Sequence, residues 1–241
     1  MILDMAFWEQ AIKKSNWYSD IIPKIKPIIN STKQEKEKKS QKEQIYSFFE
    51  QHLVCGDIAL GNEIGVWDKE RKLIDTIVIH HTANLPGMTL DRLSAIELVR
   101  LYAPYYTNPL YPQDEYIKGS AISSGHVRGG KQVFYPYHWI IKSNGKKERL
   151  LYDSEIGWHA GNWNVNCRSI AIVLDNNYET TKPSTTELEA IANLIKSNYS
   201  FVPKDRILGH GEINLRTTCP SRLFLSRNGQ RGWKEDLLEL I

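Results

Sequence analysis

Seven histidines (His52, His80, His81, His126, His138, His159 and His210) and three cysteines (Cys55, Cys167 and Cys219) make up the soft-ligand inventory of this chain. A lone histidine is ordinarily a hydrogen-bonded structural residue, so their placement matters more than their number. His80 sits at the end of an apolar run, and open sheets present ligand sites at strand ends. His210 and Cys219, nine residues apart, lie in the loop-like segments Leu208-Gly209-His210-Gly211-Glu212 and Thr217-Thr218-Cys219-Pro220-Ser221. That spacing matches no compact zinc signature, but the chemistry is informative. Two neutral imidazoles and one thiolate suit Zn²⁺, and three protein ligands leave one tetrahedral position open. Water there would be acidified toward a pKa of about 7, and the remaining charge of the site would still polarise a carbonyl. This is the equipment of a hydrolase.

The elements that must position these residues are legible as alternating strand and helix signals from about Asp57 onward. Residues 74–81 (IDTIVIHH) are rich in β-branched side chains and read as a buried strand. Thr89 can cap a helix carrying Leu93, Ile96 and Val99. Residues 133–142 (VFYPYHWIIK) read as a second strand, with Pro136 at an edge or bend. Asn144-Gly145 is a strong hairpin signal, with residues 148–152 as the returning strand. Residues 168–174 (RSIAIVL) form another core strand. Ser184 with Glu187 makes a capping box before Leu188, Ile191 and Ile195. A last amphipathic helix is expected from Trp233 to the end. Together these predict an α/β fold, a mixed central β-sheet flanked by helices. Residues 1–60 are expected to form a helical N-terminal extension with a solvated Lys/Glu/Gln-rich middle, and 61–241 the catalytic domain.

Several segments, in this order, resemble the N-acetylmuramoyl-L-alanine amidase family. They are Ile77-Val78-Ile79-His80-His81-Thr82-Ala83, Tyr137-His138-Trp139-Ile140-Ile141, Gly157-Trp158-His159-Ala160-Gly161, Ser169-Ile170-Ala171-Ile172, and Gly209-His210 through Cys219-Pro220. This is the zinc amidase group of phage lysozyme-like amidases and peptidoglycan recognition proteins. The resemblance spans about residues 73–240. It implies His80, His210 and Cys219 as Zn²⁺ ligands, and Tyr137 as the phenol that donates to the developing oxyanion. It also implies Thr217 as the residue assisting beside the metal, and His159 as a lining of the substrate groove. Trp158, Asn162 and Trp163 are assigned to the substrate by residue type, for stacking and hydrogen bonding to sugar or peptide. The implied reaction is hydrolysis of the amide joining N-acetylmuramic acid to L-alanine in peptidoglycan or muropeptides.

Three departures qualify that reading. Val173 stands where cytoplasmic recycling amidases place a glutamate. Gly211 stands where arginine is common. The connection between His81 and Tyr137 is long, and its Ser123–Gly130 portion could be a lid, a groove wall or a plain surface loop. His81 should face away from His80, and His138 could support the site indirectly. Cys55 is expected to be buried and Cys167 partly exposed, with a bridge between them only in an oxidising compartment. The alternative function is a peptidoglycan-recognition domain that binds muropeptide without cutting it. Such members typically lack a zinc ligand, whereas Cys219 is present here. A closed structural zinc site would normally use four protein ligands.

Composition narrows the field further. The chain has 241 residues, 41% hydrophobic and 24% charged, enough for a sizeable core. A net charge of +3 without a basic stripe argues against nucleic acid as a partner. No apolar run approaches the roughly 18 residues of a membrane span. The segment MILDMAFWEQ does not read as a secretory signal. Localisation stays open between the cytoplasm and delivery to the wall by lysis or non-classical export.

Overall fold

The apolar runs of the sequence become the central strands of a mixed sheet. A computed structural model describes residues 4–31, 36–62, 67–107 and 119–241. They sort into two compact units, one drawn from Met1–Val66 and Thr89–Phe134, the other from Trp67–Met88 and Tyr135–Ile241.

The first unit is mainly helical, with α1 Met5–Ala11, α2 Trp17–Ile29, α3 Lys36–Cys55, α4 Leu90–Glu97 and α5 Ala103–Tyr106. Asp4 caps α1 through Phe7 N–H, and the Thr89 hydroxyl accepts from Arg92 N–H to cap α4. The Ile and aromatic positions of α2 are buried, and α3 buries only Ile45, Tyr46, Phe48 and Phe49. The N-terminal residues thus supply three of this unit's helices, and residues 32–35 of the Lys/Glu/Gln-rich stretch lie outside the described residues. Within 123–130, residues 127–128 pair as β2 (Val127–Arg128) with β3 (Lys131–Gln132) across Gly129-Gly130. Both glycines have positive φ, as a two-residue hairpin turn requires.

The second unit holds β1 Thr76–His81, β4 Trp139–Ile141, β5 Lys147–Arg149, α6 Trp163–Asn166, β6 Ser169–Leu174, α7 Thr185–Asn198, β7 Ile207–Gly209, α8 His210–Ile213 and α9 Trp233–Leu240. The strand order is β5-β4-β6-β1-β7, with β4–β5 antiparallel and the other pairs parallel. All six residues of both β1 and β6 are buried, as strands covered on both faces must be. Ile77, Ile79, Ile170, Ile172 and Leu174 pack with Leu188, Ile191, Ile195, Trp233 and Leu237 of α7 and α9. Residues of the other parity (Val78, His80, Ser169, Ala171 and Val173) turn to the opposite face. The expected mixed sheet flanked by helices is therefore the architecture of this unit. The Ser184–Glu187 capping box opens α7 as expected.

Two expectations are corrected. The strand expected over 133–142 contracts to Trp139–Ile141, because Pro136 has no N–H to pair and a side chain takes over the ladder. His138 N–H donates to Ala171 C=O (2.9 Å), while Ala171 N–H donates to His138 Nδ1 (3.0 Å). The cysteines are reversed in environment. Cys55, the last residue of α3, is exposed, and Cys167 is buried; both are free thiols.

The loop after β1 is fixed by a buried charge. Asp175, fully buried, accepts from Gly87 N–H (3.1 Å), Met88 N–H (3.0 Å) and Lys142 Nζ (3.1 Å). Removing one partner of a buried pair costs about 3–5 kcal/mol. Lys142→Met should lower the unfolding free energy by about that amount in a urea titration, and Asp175→Asn in the same chain should recover part of it. A loss below about 1 kcal/mol would show that the pair does not carry this junction.

Candidate metal centre and active site

The β1–β7 register decides where the site forms. Ile77, Val78 and Ile79 pair with Ile207, Leu208 and Gly209. The next residues along, His80 and His210, therefore emerge side by side, with ring centroids 4.8 Å apart. His80 is the penultimate residue of β1 and His210 opens the single-turn α8, so both side chains reach the same edge of the sheet. One ligand atom each from His80, His210 and Cys219 lies within 4.8 Å of the others. The Cys219 Sγ to His80 Nδ1 distance is 3.7 Å. Ligands at about 2.3 and 2.0 Å from one ion at a tetrahedral angle would be ~3.5 Å apart, so the spacing fits zinc.

The free nitrogens point the same way. The His210 ring donates to the Ala160 carbonyl, and its buried Nε2 has no hydrogen-bond partner among the described residues. A ring that donates Nδ1–H to a carbonyl presents a lone pair on Nε2, the form a metal ligand needs. Burial, reinforced by His210, His159 and His81, pushes the His80 pKa well below its ordinary value. Burial lowers that of His210 as well, against the Ala160 bond. Burial thus favours the neutral form of both rings, the form a metal ligand needs.

Glycines on either side of His210 let the cysteine loop close in. A Cβ on Gly209 would stand 2.6 Å from Phe224 and 2.8 Å from Pro220 Cδ. One on Gly211 would stand 2.9 Å from Thr217 C=O and 3.2 Å from Cys219 C=O. Gly211 N–H itself donates to Cys219 C=O (2.6 Å). This accounts for glycine at the position where the sequence raised the question of a missing arginine. Glu212 holds the same turn, accepting from Gly209 N–H (2.7 Å) and from Lys234 of α9 (2.8 and 3.0 Å).

The other sequence-derived residues distribute around this cluster. The half-buried Tyr137 ring lies 5.1 Å from that of His80. Thr217 Oγ1 accepts from Cys219 N–H (3.1 Å), bracing the cysteine backbone. Trp158 and Trp163 join Trp67 in an edge-to-face cluster, with centroids 5.3 to 6.3 Å apart. Trp67 was not anticipated, since a tryptophan outside every motif carries no signal of its neighbours. Trp163 Nε1 donates to Glu70 (2.7 Å), and Asn162 Oδ1 caps α6 by accepting from Val165 N–H (3.2 Å). His159, expected along the groove, is 5% exposed, with both ring nitrogens bonded inside the protein. His81 accepts from Tyr178 N–H on the α7 side of the sheet. Val173, the register partner of His80, is fully buried and has no proton to exchange.

Residues 69–222 match the N-acetylmuramoyl-L-alanine amidase family model. The chain belongs to that family. A 1,6-anhydro-N-acetylmuramyl-L-alanine amidase, AmpD of Haemophilus influenzae, is 29% identical over 96 residues, or 36% of this chain and 52% of the relative. The chain thus spans about half the length of that curated relative. Among solved structures, N-acetylmuramoyl-L-alanine amidase LysC from Clostridium intestinale URNW is similar over 72% of this chain and 87% of its own, at 18% identity and a TM-score of 0.43. Drosophila PGRP-LB is similar over 67% and 79%, at 20% identity and a TM-score of 0.40.

Replacing Gly211 with alanine should push the Thr217–Cys219 backbone away from His210. Overpacking of this kind costs about 1–3 kcal/mol. Isothermal titration of zinc into Gly211→Ala should show affinity falling well beyond any loss of melting temperature. Unchanged affinity would mean the close approach is not needed for ligation.

Proposed function

We propose that this family member is a zinc-dependent amidase that hydrolyses the bond between N-acetylmuramic acid and L-alanine in peptidoglycan or muropeptides. The supporting observation is the convergence of His80, His210 and Cys219, each offering a lone pair or thiolate, beside the phenol of Tyr137. Three ligands, two neutral and one anionic, match an open catalytic zinc site better than a closed structural one. A bound Zn²⁺ supplies Lewis acidity toward the scissile carbonyl and toward water at neutral pH.

The protein's own groups do the rest. Tyr137 is assigned the hydrogen bond to the carbonyl oxygen as it gains charge, a neutral donor worth about 3–4 kcal/mol where such donors have been removed. Thr217 keeps Cys219 in place and adds its hydroxyl as a second donor. Val173 excludes a carboxylate base beside His80, so proton transfer falls to Tyr137, Thr217 and solvent. The faces of Trp158 and Trp163 are assigned to sugar or peptide stacking, with the amide nitrogen of Asn162 beside them. Residues 61–241 carry this activity, with 1–60 as an extension.

Mass spectrometry of muropeptides and of intact wall after incubation with the protein tests the reaction. Stem peptides with a new L-alanine amino terminus should appear, vanish with chelator and return with zinc. Turnover of neither substrate by zinc-loaded protein would instead make this a binding domain. Cys219→Ala should lose both zinc and cleavage. Tyr137→Phe should retain zinc and lose about 10²-fold in kcat; an unchanged kcat would remove Tyr137 from the mechanism.

A further inference from the structure

His80 has two nitrogens, and only Nδ1 faces Cys219. The other, Nε2, lies 3.0 Å from His159 Nδ1. His159 Nε2 in turn lies 2.9 Å from Ser169 Oγ, and Ser169 Oγ lies 2.7 Å from the Val165 carbonyl oxygen. The direction of this chain follows from its last member. A carbonyl can only accept, so Ser169 spends its one hydroxyl proton on Val165. Ser169 Oγ must then accept from His159 Nε2–H. A neutral His159 carrying its proton on Nε2 has only a lone pair on Nδ1, so it must accept from His80 Nε2–H. That leaves the His80 lone pair on Nδ1, aimed at Cys219.

We propose that His159 is a positioning residue for the metal centre, setting both the tautomer and the ring angle of His80 through Ser169 and the Val165 carbonyl. The inference rests on the reading of His80 as a metal ligand and extends it to a residue that the sequence had placed in the substrate groove. An imidazole in this place is a neutral acceptor, where ligating histidines more usually donate to a carboxylate, a carbonyl or water. The terminus of the chain is itself rigidly held. Arg71 donates to the carbonyls of Asn166 (3.1 Å), Ser169 (3.0 Å) and Asp153 (2.7 Å), locking the α6–β6 junction that carries Ser169 and adjoins Val165. Two of the three hydrogen bonds in the chain are buried and the third is part-buried, so solvent offers no easy substitute.

The tautomers can be read directly in the metal-free wild-type chain by long-range ¹H–¹⁵N correlation of the histidine rings. His80 should show a protonated Nε2 and bare Nδ1, and His159 the same pattern. A bare Nε2 on His80 would overturn the proposal. Zinc affinity from a chelator competition then tests the consequence. His159→Leu, which fills the space but cannot accept, should bind zinc about 10–100-fold more weakly than wild type. His159→Asn, whose amide oxygen can occupy the place of Nδ1, should recover most of that loss. Equal affinity of the leucine variant, or no difference between leucine and asparagine, would reduce His159 to packing. Failure of the wild-type chain itself to bind zinc would instead reject the metal reading, leaving the tautomer measurement to decide the hydrogen-bond chain alone.

Discussion

The parallel pairing of β1 with β7 is the constraint on which the candidate site depends. It aligns Ile79 with Gly209, and so delivers His80 and His210 to one edge from segments far apart in sequence. Because side chains alternate along a strand, a slip of one residue would send His80 to the α7 side and bring His81 to the site. The register is protected by burial on both faces. Ile77 and Ile79 fit among the α7 and α9 side chains, and every position of β1 is covered. The apolar pattern that makes the core therefore also chooses which of two adjacent histidines faces His210 and Cys219.

A single helical turn stands behind the rings of both His80 and His210. Through Ser169, the Val165 carbonyl at the end of α6 orients His159 and then His80. Through Asn166 Oδ1, the same turn holds Ala160 N–H (2.9 Å), and the carbonyl of that residue receives the His210 ring. Asn162 starts the turn by capping it. The segment from Gly157 to Asn166 thus does more for the orientation of the ligands than its aromatic, amide-rich composition suggests. Its two tryptophans face their own cluster, while its histidine and its last asparagine face inward.

Much of this was readable from residue order, and what was not has a physical reason. The strands 74–81 and 168–174, the hairpin at Asn144-Gly145 and the Ser184 cap are local signals of apolar period, turn chemistry and capping. They appear where such signals put them. His80, His210 and Cys219 could be named as candidate ligands from type and resemblance, and the fold brings the three together. The contraction of the strand at 133–142 was hidden, because it depends on the His138 side chain substituting for a backbone carbonyl. The place of His159 was hidden for a related reason. Exposure is set by what packs over a residue, and a histidine inside a motif looks the same whether it meets ligand or protein. The environments of Cys55 and Cys167 were likewise decided by tertiary packing rather than by neighbours in sequence.

Each of the three segments that carry His80, His210 and Cys219 has its own carboxylate anchor, and the anchors differ in exposure. The loop that leaves β1 beyond His80 is tied by Asp175, fully buried and held by two backbone donors and Lys142. The His210 turn is tied by Glu212 to Lys234, both largely shielded. The cysteine loop is tied by Glu179 to Thr218 (2.8 Å) and to Arg222 (2.6 Å), a pair whose arginine is two-thirds exposed. Desolvation works against the Glu179 charge, but the bonds from Arg222 and Thr218 hold its carboxyl below the usual range. Exposed pairs are worth about 0–1 kcal/mol, several-fold less than a buried pair is worth to the groups it satisfies. The segments carrying His80 and His210 therefore rest on shielded carboxylates, whereas the Cys219 loop rests on an exposed pair and is held in addition through its backbone, by Gly211 N–H and Thr217 Oγ1.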